Sequence, residues 1–255
     1  MIRIESVQKS FNGASVLNGV NFEIVDRETT VIIGRSGGGK SVLLKHLCGL
    51  LKPDAGRVWV DEVEIVALDE RELAPIRSKF GFLFQGAALF DSMTIFDNVA
   101  FPLREKRNLD ETEVARRVEE ALEIVGLAGT GDKKPAELSG GMRKRAGLAR
   151  AAVGMPKYLL YDEPTTGLDP IRSDTINDLI LRLRDRFHVT GVAVTHDMAS
   201  AYKIADRIAM LHKGKIHTVG TPQEIQATTD PVVHQFIHGI ADSLQEAHNG
   251  VAKVG

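Results

Sequence analysis

Gly34-Arg35-Ser36-Gly37-Gly38-Gly39-Lys40-Ser41 fits the pattern G-x-x-x-x-G-K-[ST]. A compact β-branched run, 29–33, precedes it. A helical stripe of Leu43, Leu44, Leu47 and Cys48 follows, so the spacing predicts strand, loop and a helix over 41–50. At average composition such an octamer arises by chance in about one chain in a hundred of this length. Glycines carry no Cβ, so successive backbone N–H groups can curl around phosphate oxygens. The helix N-terminus adds partial positive charge. Lys40 can then reach the β- and γ-phosphates, and the Ser41 hydroxyl can bind Mg²⁺. An ordinary glycine turn before a helix is the competing reading, and the strand–loop–helix placement disfavours it.

Outward from this loop, short β-rich runs open the chain over 2–7 and 16–25. Further strands are expected at 57–60, 80–84, 157–161 and 189–195, and a hairpin at 207–211 and 215–219 around Lys213-Gly214. A helix is expected over 111–125, with Asp110 and Glu113 suited to its N-cap and N3 positions. Others start at Ser139, at Asp169-Pro170 and near Pro231. Apolar strands alternating with helices predict a parallel-sheet α/β core. The β-rich start and the helical middle read as additions to it.

The 255 residues suffice for one large domain, and 43% apolar with 26% charged residues is globular composition. A net charge of −2 supplies no global field for nucleic acid or anionic lipid. Cys48, the single cysteine, excludes an internal disulfide and reads as a small core residue. No window approaches 18 consecutive apolar residues, and Met1-Ile2-Arg3-Ile4-Glu5 has no apolar signal core. A cytosolic protein is expected, which would reach a membrane only through a partner.

Tyr158-Leu159-Leu160-Tyr161-Asp162-Glu163-Pro164 is an apolar strand ending in two carboxylates. Asp162 suits Mg²⁺, through water, and Glu163 suits polarising an attacking water as a general base. A capped strand-to-helix turn would explain the same residues; the phosphate loop tips the balance. Leu138-Ser139-Gly140-Gly141-Met142 has another logic. Ser139 can cap the next helix, while Gly140 and Gly141 leave its first N–H groups bare for a second anion. Taken alone, a serine-capped helix is the simpler reading.

Taken together, the phosphate loop, the Leu-Ser-Gly-Gly run, the Asp-Glu-Pro strand end, Asp169 and His196 resemble the ATPase subunit of ATP-binding cassette (ABC) transporters. The resemblance covers roughly 2–226. It implies a P-loop NTPase (RecA-like) α/β core, an N-terminal antiparallel β subdomain and an α-helical subdomain at about 86–155 carrying the Leu-Ser-Gly-Gly-Met run. The cassette would occupy 1–240 and a tail 241–255. It implies ATP and Mg²⁺, and two copies paired head to tail. Gly34, Arg35, Ser36, Gly37, Gly38, Gly39, Lys40, Ser41 and Val42 of one copy would hold each ATP with Ser139, Gly140 and Gly141 of the other. Metal contacts would come from Ser41, Gln85 and Asp162, and catalysis from Glu163, His196 and Gln85.

Family position also puts Phe11 against adenine, where a core phenylalanine is the alternative. Gln85 would touch Mg²⁺ and water and relay nucleotide state; its alternative is a surface glutamine. Asp169 would cross the dimer while capping its own helix. His196 would meet the γ-phosphate, although a lone histidine is usually structural. His234 and His238, four apart, read as a solvated helix, and Arg143-Lys144-Arg145 as a polar helix face rather than a nucleic-acid site.

The stretch 86–103 would receive the coupling helix of an integral membrane permease, with Leu89, Phe90, Met93 and Phe96 gripping it; core packing is the alternative. Phe84-Gln85-Gly86-Ala87-Ala88-Leu89-Phe90-Asp91-Ser92 and the Met142-Arg143-Lys144-Arg145 continuation are similar to the Mla-type, MCE-associated phospholipid transport subfamily. That resemblance implies a peripheral subunit at the cytoplasmic face of a bacterial inner membrane. An MCE-domain lipid-binding protein and a small accessory subunit would be further partners. The alternatives are a non-lipid substrate or a force-transmitting complex without transport. A kinase or nucleic-acid motor has no use for a second γ-phosphate clamp.

Overall fold

The computed structural model describes residues 1–106 and 109–240; the expected tail, 241–255, lies outside the described residues. β1 (Ile2–Phe11) and β2 (Ala14–Ile24) form an antiparallel hairpin. Asn12 and Gly13 turn it with φ of 50° and 82°, the two-residue turn whose twist matches its strands. The two short runs expected here are thus parts of longer strands joined by that Asn-Gly pair.

β3 (Thr29–Ile33) leads into α1 (Lys40–Leu47), which stops three residues short of the expected end because Gly49, at φ 68°, turns the chain out of the helix. β4 (Ala55–Val60), β5 (Val63–Glu64), α2 (Glu70–Arg77) and β6 (Phe80–Leu83) follow. The helical middle holds α3 (Ile95–Lys106), α4 (Glu111–Ile124) and α5 (Gly140–Ala152). Asp110 caps α4 by accepting from the Glu113 N–H at 2.8 Å. Beyond it lie β7 (Tyr158–Asp162), α6 (Pro170–Phe187), β8 (Thr190–Thr195) and α7 (Met198–Ile204). β9 (Arg207–His212), β10 (Lys215–Gly220), α8 (Pro222–Gln226) and α9 (Pro231–Ile237) complete the described chain.

Two sheets result. One is antiparallel in the order β2-β1-β4-β5; the other runs β10-β9-β3-β8-β7-β6 and is parallel from β9 to β6. Both faces of the parallel sheet are covered, so its strands are continuously apolar. Alternation then deals residues to two cores. Ile32, Leu160 and Val194 pack with α1 and the antiparallel sheet, whereas Val31, Leu159 and Ala193 pack with the helical middle, α6 and α7. The architecture is the α/β P-loop core with an antiparallel β unit that the motifs imply.

Candidate nucleotide and hydrolysis site

Strand register decides where the chemistry gathers. Ile33 pairs with Thr195, Asp162 with Val194, and Leu83 with Tyr161. The carboxyl ends of β3, β6, β7 and β8 are therefore level. Gly34, Gln85, Glu163 and His196 leave the sheet along one edge, the usual ligand edge of an open α/β sheet. A cavity of about 310 Å³ there is lined by Ser36, Gly37, Gly39, Lys40, Ser41 and Val42, and by Gln85, Glu163, His196 and Val16.

The loop needs its glycines at two points in particular. Gly34 has φ 153°, and a Cβ there would lie 2.4 Å from the Leu211 carbonyl oxygen. Gly39 starts α1 at φ 95°, where a Cβ would lie 2.9 Å from Val16 Cγ1. No side chain caps α1, so its first N–H groups stay open toward the cavity.

Lys40 is buried, and its Nζ donates to the carbonyls of Gly34 at 2.8 Å and Arg35 at 3.1 Å. The same ammonium lies 3.4 Å from Glu163 Oε1. Ser41 Oγ donates to Asp162 Oδ1 at 2.6 Å. A hydroxyl and a carboxylate oxygen in contact form the hard oxygen pair that Mg²⁺ takes, with its remaining positions left for phosphate and water.

Glu163 sits at the end of β7 with φ 50°, a strained setting for a side chain of its kind. Its Oε2 accepts from Thr166 Oγ1 at 3.0 Å and Thr195 Oγ1 at 3.4 Å, and lies 2.9 Å from His196 Nδ1. Burial pushes this carboxyl up, but the His196 contact and the Lys40 charge outweigh it and hold it below the usual glutamate value. It is a carboxylate at neutral pH, able to accept a proton from water.

Lys144 corrects the sequence reading of a polar helix face. It is 6% exposed and its Nζ donates to the Glu163 carbonyl at 3.0 Å. Burial pulls the ammonium below the usual lysine range, against the Glu163 and Asp162 charges. Arg143 donates to the Leu138 carbonyl and Arg145 to those of Val125 and Gly126, so all three side chains of the basic run hold backbone. The signal was present in the helical period: residue 144 shares a face with buried Gly141, Gly147 and Leu148.

The other expected residues are dispersed. Ser139 caps α5 by accepting from the Met142 N–H at 3.3 Å, and shares a separate cavity with Gly141, Met142, Arg145 and Arg172. That cavity has no residue in common with the one around Lys40. Asp169 caps α6, accepting from the Arg172 N–H at 2.9 Å. Phe11 stands beside the hairpin turn at 42% exposure, with Lys9 Nζ 5.5 Å from its ring, so the core alternative fails for it. Val16, which lines the cavity from β2, had no motif to mark it.

A third concavity, of about 800 Å³, opens between β6, α3 and the end of α5. Phe80, Phe82, Phe84, Phe90, Phe101 and Pro102 line it, and Arg150 crosses it to the Ala87 and Ala88 carbonyls. Of the four apolar residues expected to grip a helix, Phe90 lines this groove, while Leu89 and Phe96 are partly buried against the core.

The family described as ABC transporter matches residues 17–166. The chain belongs to the ABC transporter family. It is an ATPase that binds ATP. A probable ribonucleotide transport ATP-binding protein, mkl, of Mycobacterium leprae is 44% identical over 93% of this ABC ATPase and 69% of its own length. The chain thus spans about two thirds of the length of its mycobacterial relatives. The intermembrane phospholipid transport system ATP-binding protein MlaF of Haemophilus influenzae is 38% identical, with 95% of this chain and 92% of that one aligned. A solved ABC cassette, MJ0796, dimeric in a post-hydrolysis state with ADP and Pi, superposes with a TM-score of 0.81. It is 33% identical over 87% of this chain and 99% of that one. No described helix of this ABC ATPase is long and apolar enough to cross a membrane.

Proposed function

We propose that this ATPase drives phospholipid movement between the membranes of a bacterial envelope, bound peripherally to a permease at the cytoplasmic face of the inner membrane. The observation that carries the chemistry is the meeting of Lys40, Ser41, Gln85, Glu163 and His196 around one cavity. The lipid assignment is supported by the MlaF relationship, which extends over 92% of that protein. A chloroplast relative, TRIGALACTOSYLDIACYLGLYCEROL 3 of Arabidopsis thaliana, is 39% identical over 95% of this chain.

In this reading the loop 34–42 wraps the phosphates of ATP, with Phe11 beside the base. Ser41, Asp162 and Gln85 would hold Mg²⁺, which would supply positive charge to offset that of the phosphates. Glu163 takes a proton from the attacking water, and His196 steadies the γ-phosphate. Ser139, Gly140 and Gly141, beside a cavity separate from that of Lys40 within one chain, serve the site of a second copy, with Asp169 beside that interface. The open start of α5 reads the γ-phosphate there. The aromatic groove takes an apolar helix of the permease. An MCE-domain protein and a small accessory subunit complete the assembly.

Two measurements test this. Glu163→Gln with Mg-ATP should sediment as a dimer; a monomer at high concentration would remove the shared site. The assembly captured from membranes, returned to vesicles with labelled phospholipid, should move it only with ATP. ATP turnover without phospholipid movement would favour a non-lipid substrate or force transmission.

A further inference from the structure

Among the described residues the buried ammonium of Lys144 donates to one acceptor, the backbone carbonyl of Glu163, 3.0 Å away. Desolvating a lysine is costly, and a neutral residue of similar length would fill the same space. The peptide it holds is unusual as well: Glu163 has φ 50°, which persists only where surroundings over-determine it. Two contacts fix that backbone from outside its own turn. The Glu163 N–H donates to the Val194 carbonyl at 2.9 Å, and its carbonyl accepts from Lys144. The first belongs to the sheet. The second comes from α5, the helix that Ser139 starts and caps five residues earlier.

We propose that Lys144 is a positioning residue for hydrolysis, pinning the strained Glu163 peptide to the Ser139 helix so that the Glu163 carboxylate faces the attacking water. The inference rests on the reading of Glu163 as the general base. Lys144 does not line the phosphate-loop cavity and acts through Glu163. Because Ser139 would engage the ATP of a second copy, the same bond carries a displacement of α5 to the Glu163 of its own site.

The test uses the full chain with Lys144→Met, which keeps the stem and drops the donor, and Lys144→Arg, which restores a donor. Lys144→Met should lower kcat by about tenfold or more with KM for ATP within about twofold, since a misaimed base affects the chemical step rather than binding. Its melting temperature should stay near wild type, because the change also removes a desolvated charge. Lys144→Arg should recover most of kcat. Combined with Glu163→Gln, Lys144→Met should still dimerise with Mg-ATP as Glu163→Gln alone does.

A wild-type kcat for Lys144→Met overturns the proposal. So does a loss that follows a fall in melting temperature and is not rescued by arginine, or a loss of ATP-driven dimers in the double variant. Glu163→Gln alone is the control for the underlying reading. If it turns over normally, that reading has failed; if it is inactive while Lys144→Met is normal, only the role of Lys144 has failed.

Discussion

The Lys40 ammonium and the Glu163 carboxylate face each other at 3.4 Å, both buried, across the floor of the phosphate-loop cavity. The two groups come from α1 and from the end of β7. An incoming γ-phosphate carries the same charge as Glu163 and would compete with it for Lys40. Binding would therefore loosen the carboxylate's tie to Lys40 at the moment it is needed as a base.

Glu163→Gln should keep ATP affinity at or above the wild-type value and lower kcat by at least about a hundredfold, as expected for loss of a general base. Single-turnover hydrolysis and calorimetric titration check both halves. Turnover at the wild-type rate would take Glu163 out of the mechanism.

Lys40→Ala should weaken ATP binding by about 10- to 100-fold, matching about 1.5–3 kcal/mol for a hydrogen bond to a charged group. Calorimetry with a slowly hydrolysed analogue measures this. Unchanged affinity would mean that Lys40 serves only its carbonyl partners, Gly34 and Arg35.

Phe90, 44% exposed and 5.1 Å from the Phe101 ring, is the accessible aromatic of the groove. Phe90→Asp should abolish capture of the permease from membranes and leave the ATPase rate of the isolated chain within about twofold, since surface changes away from buried features are nearly neutral. Undiminished capture would place the permease elsewhere.

Asp61 supplies a pH test of stability. Burial pushes its carboxyl up, but hydrogen bonds from Lys157, Lys79 and Tyr158, at 2.5, 2.6 and 2.6 Å, hold it well below the usual carboxylate range. A folded-state value below the unfolded one gives stability that is present above the unfolded pKa and is lost as pH falls through the folded one. Asp61→Asn should cost about 2–3 kcal/mol at neutral pH, and its deficit should shrink as pH drops below about 4. Urea melts across that range decide it; a deficit independent of pH would contradict the ionic account.

Cys48 is buried with its thiol pushed up to about 11 by burial, and its Sγ donates to the Lys45 carbonyl. The thiolate is the reactive form, so a thiol reagent at neutral pH should label Cys48 only after denaturation. Rapid labelling of the folded chain would show that α1 opens.

The sequence by itself determined the parts of this protein that rest on local rules. A β-branched run, a glycine loop and a helical stripe follow one another within about twenty residues, so Lys40 and Ser41 could be placed from their neighbours alone. Asp162 and Glu163 were legible as a strand end, and Ser139 and Asp169 as helix caps, because capping uses the next turn of the same chain. Tertiary structure decided what depends on distant partners. Strand register, not motif, set Gln85, Glu163 and His196 level with the loop. Lys144 looked solvated until the strained Glu163 carbonyl, nineteen residues along, proved to be its acceptor. The groove needed residues of β6, α3 and α5 together, which no local period can report. Local periodicity fixes which way a side chain leaves its own element; only packing fixes what it meets.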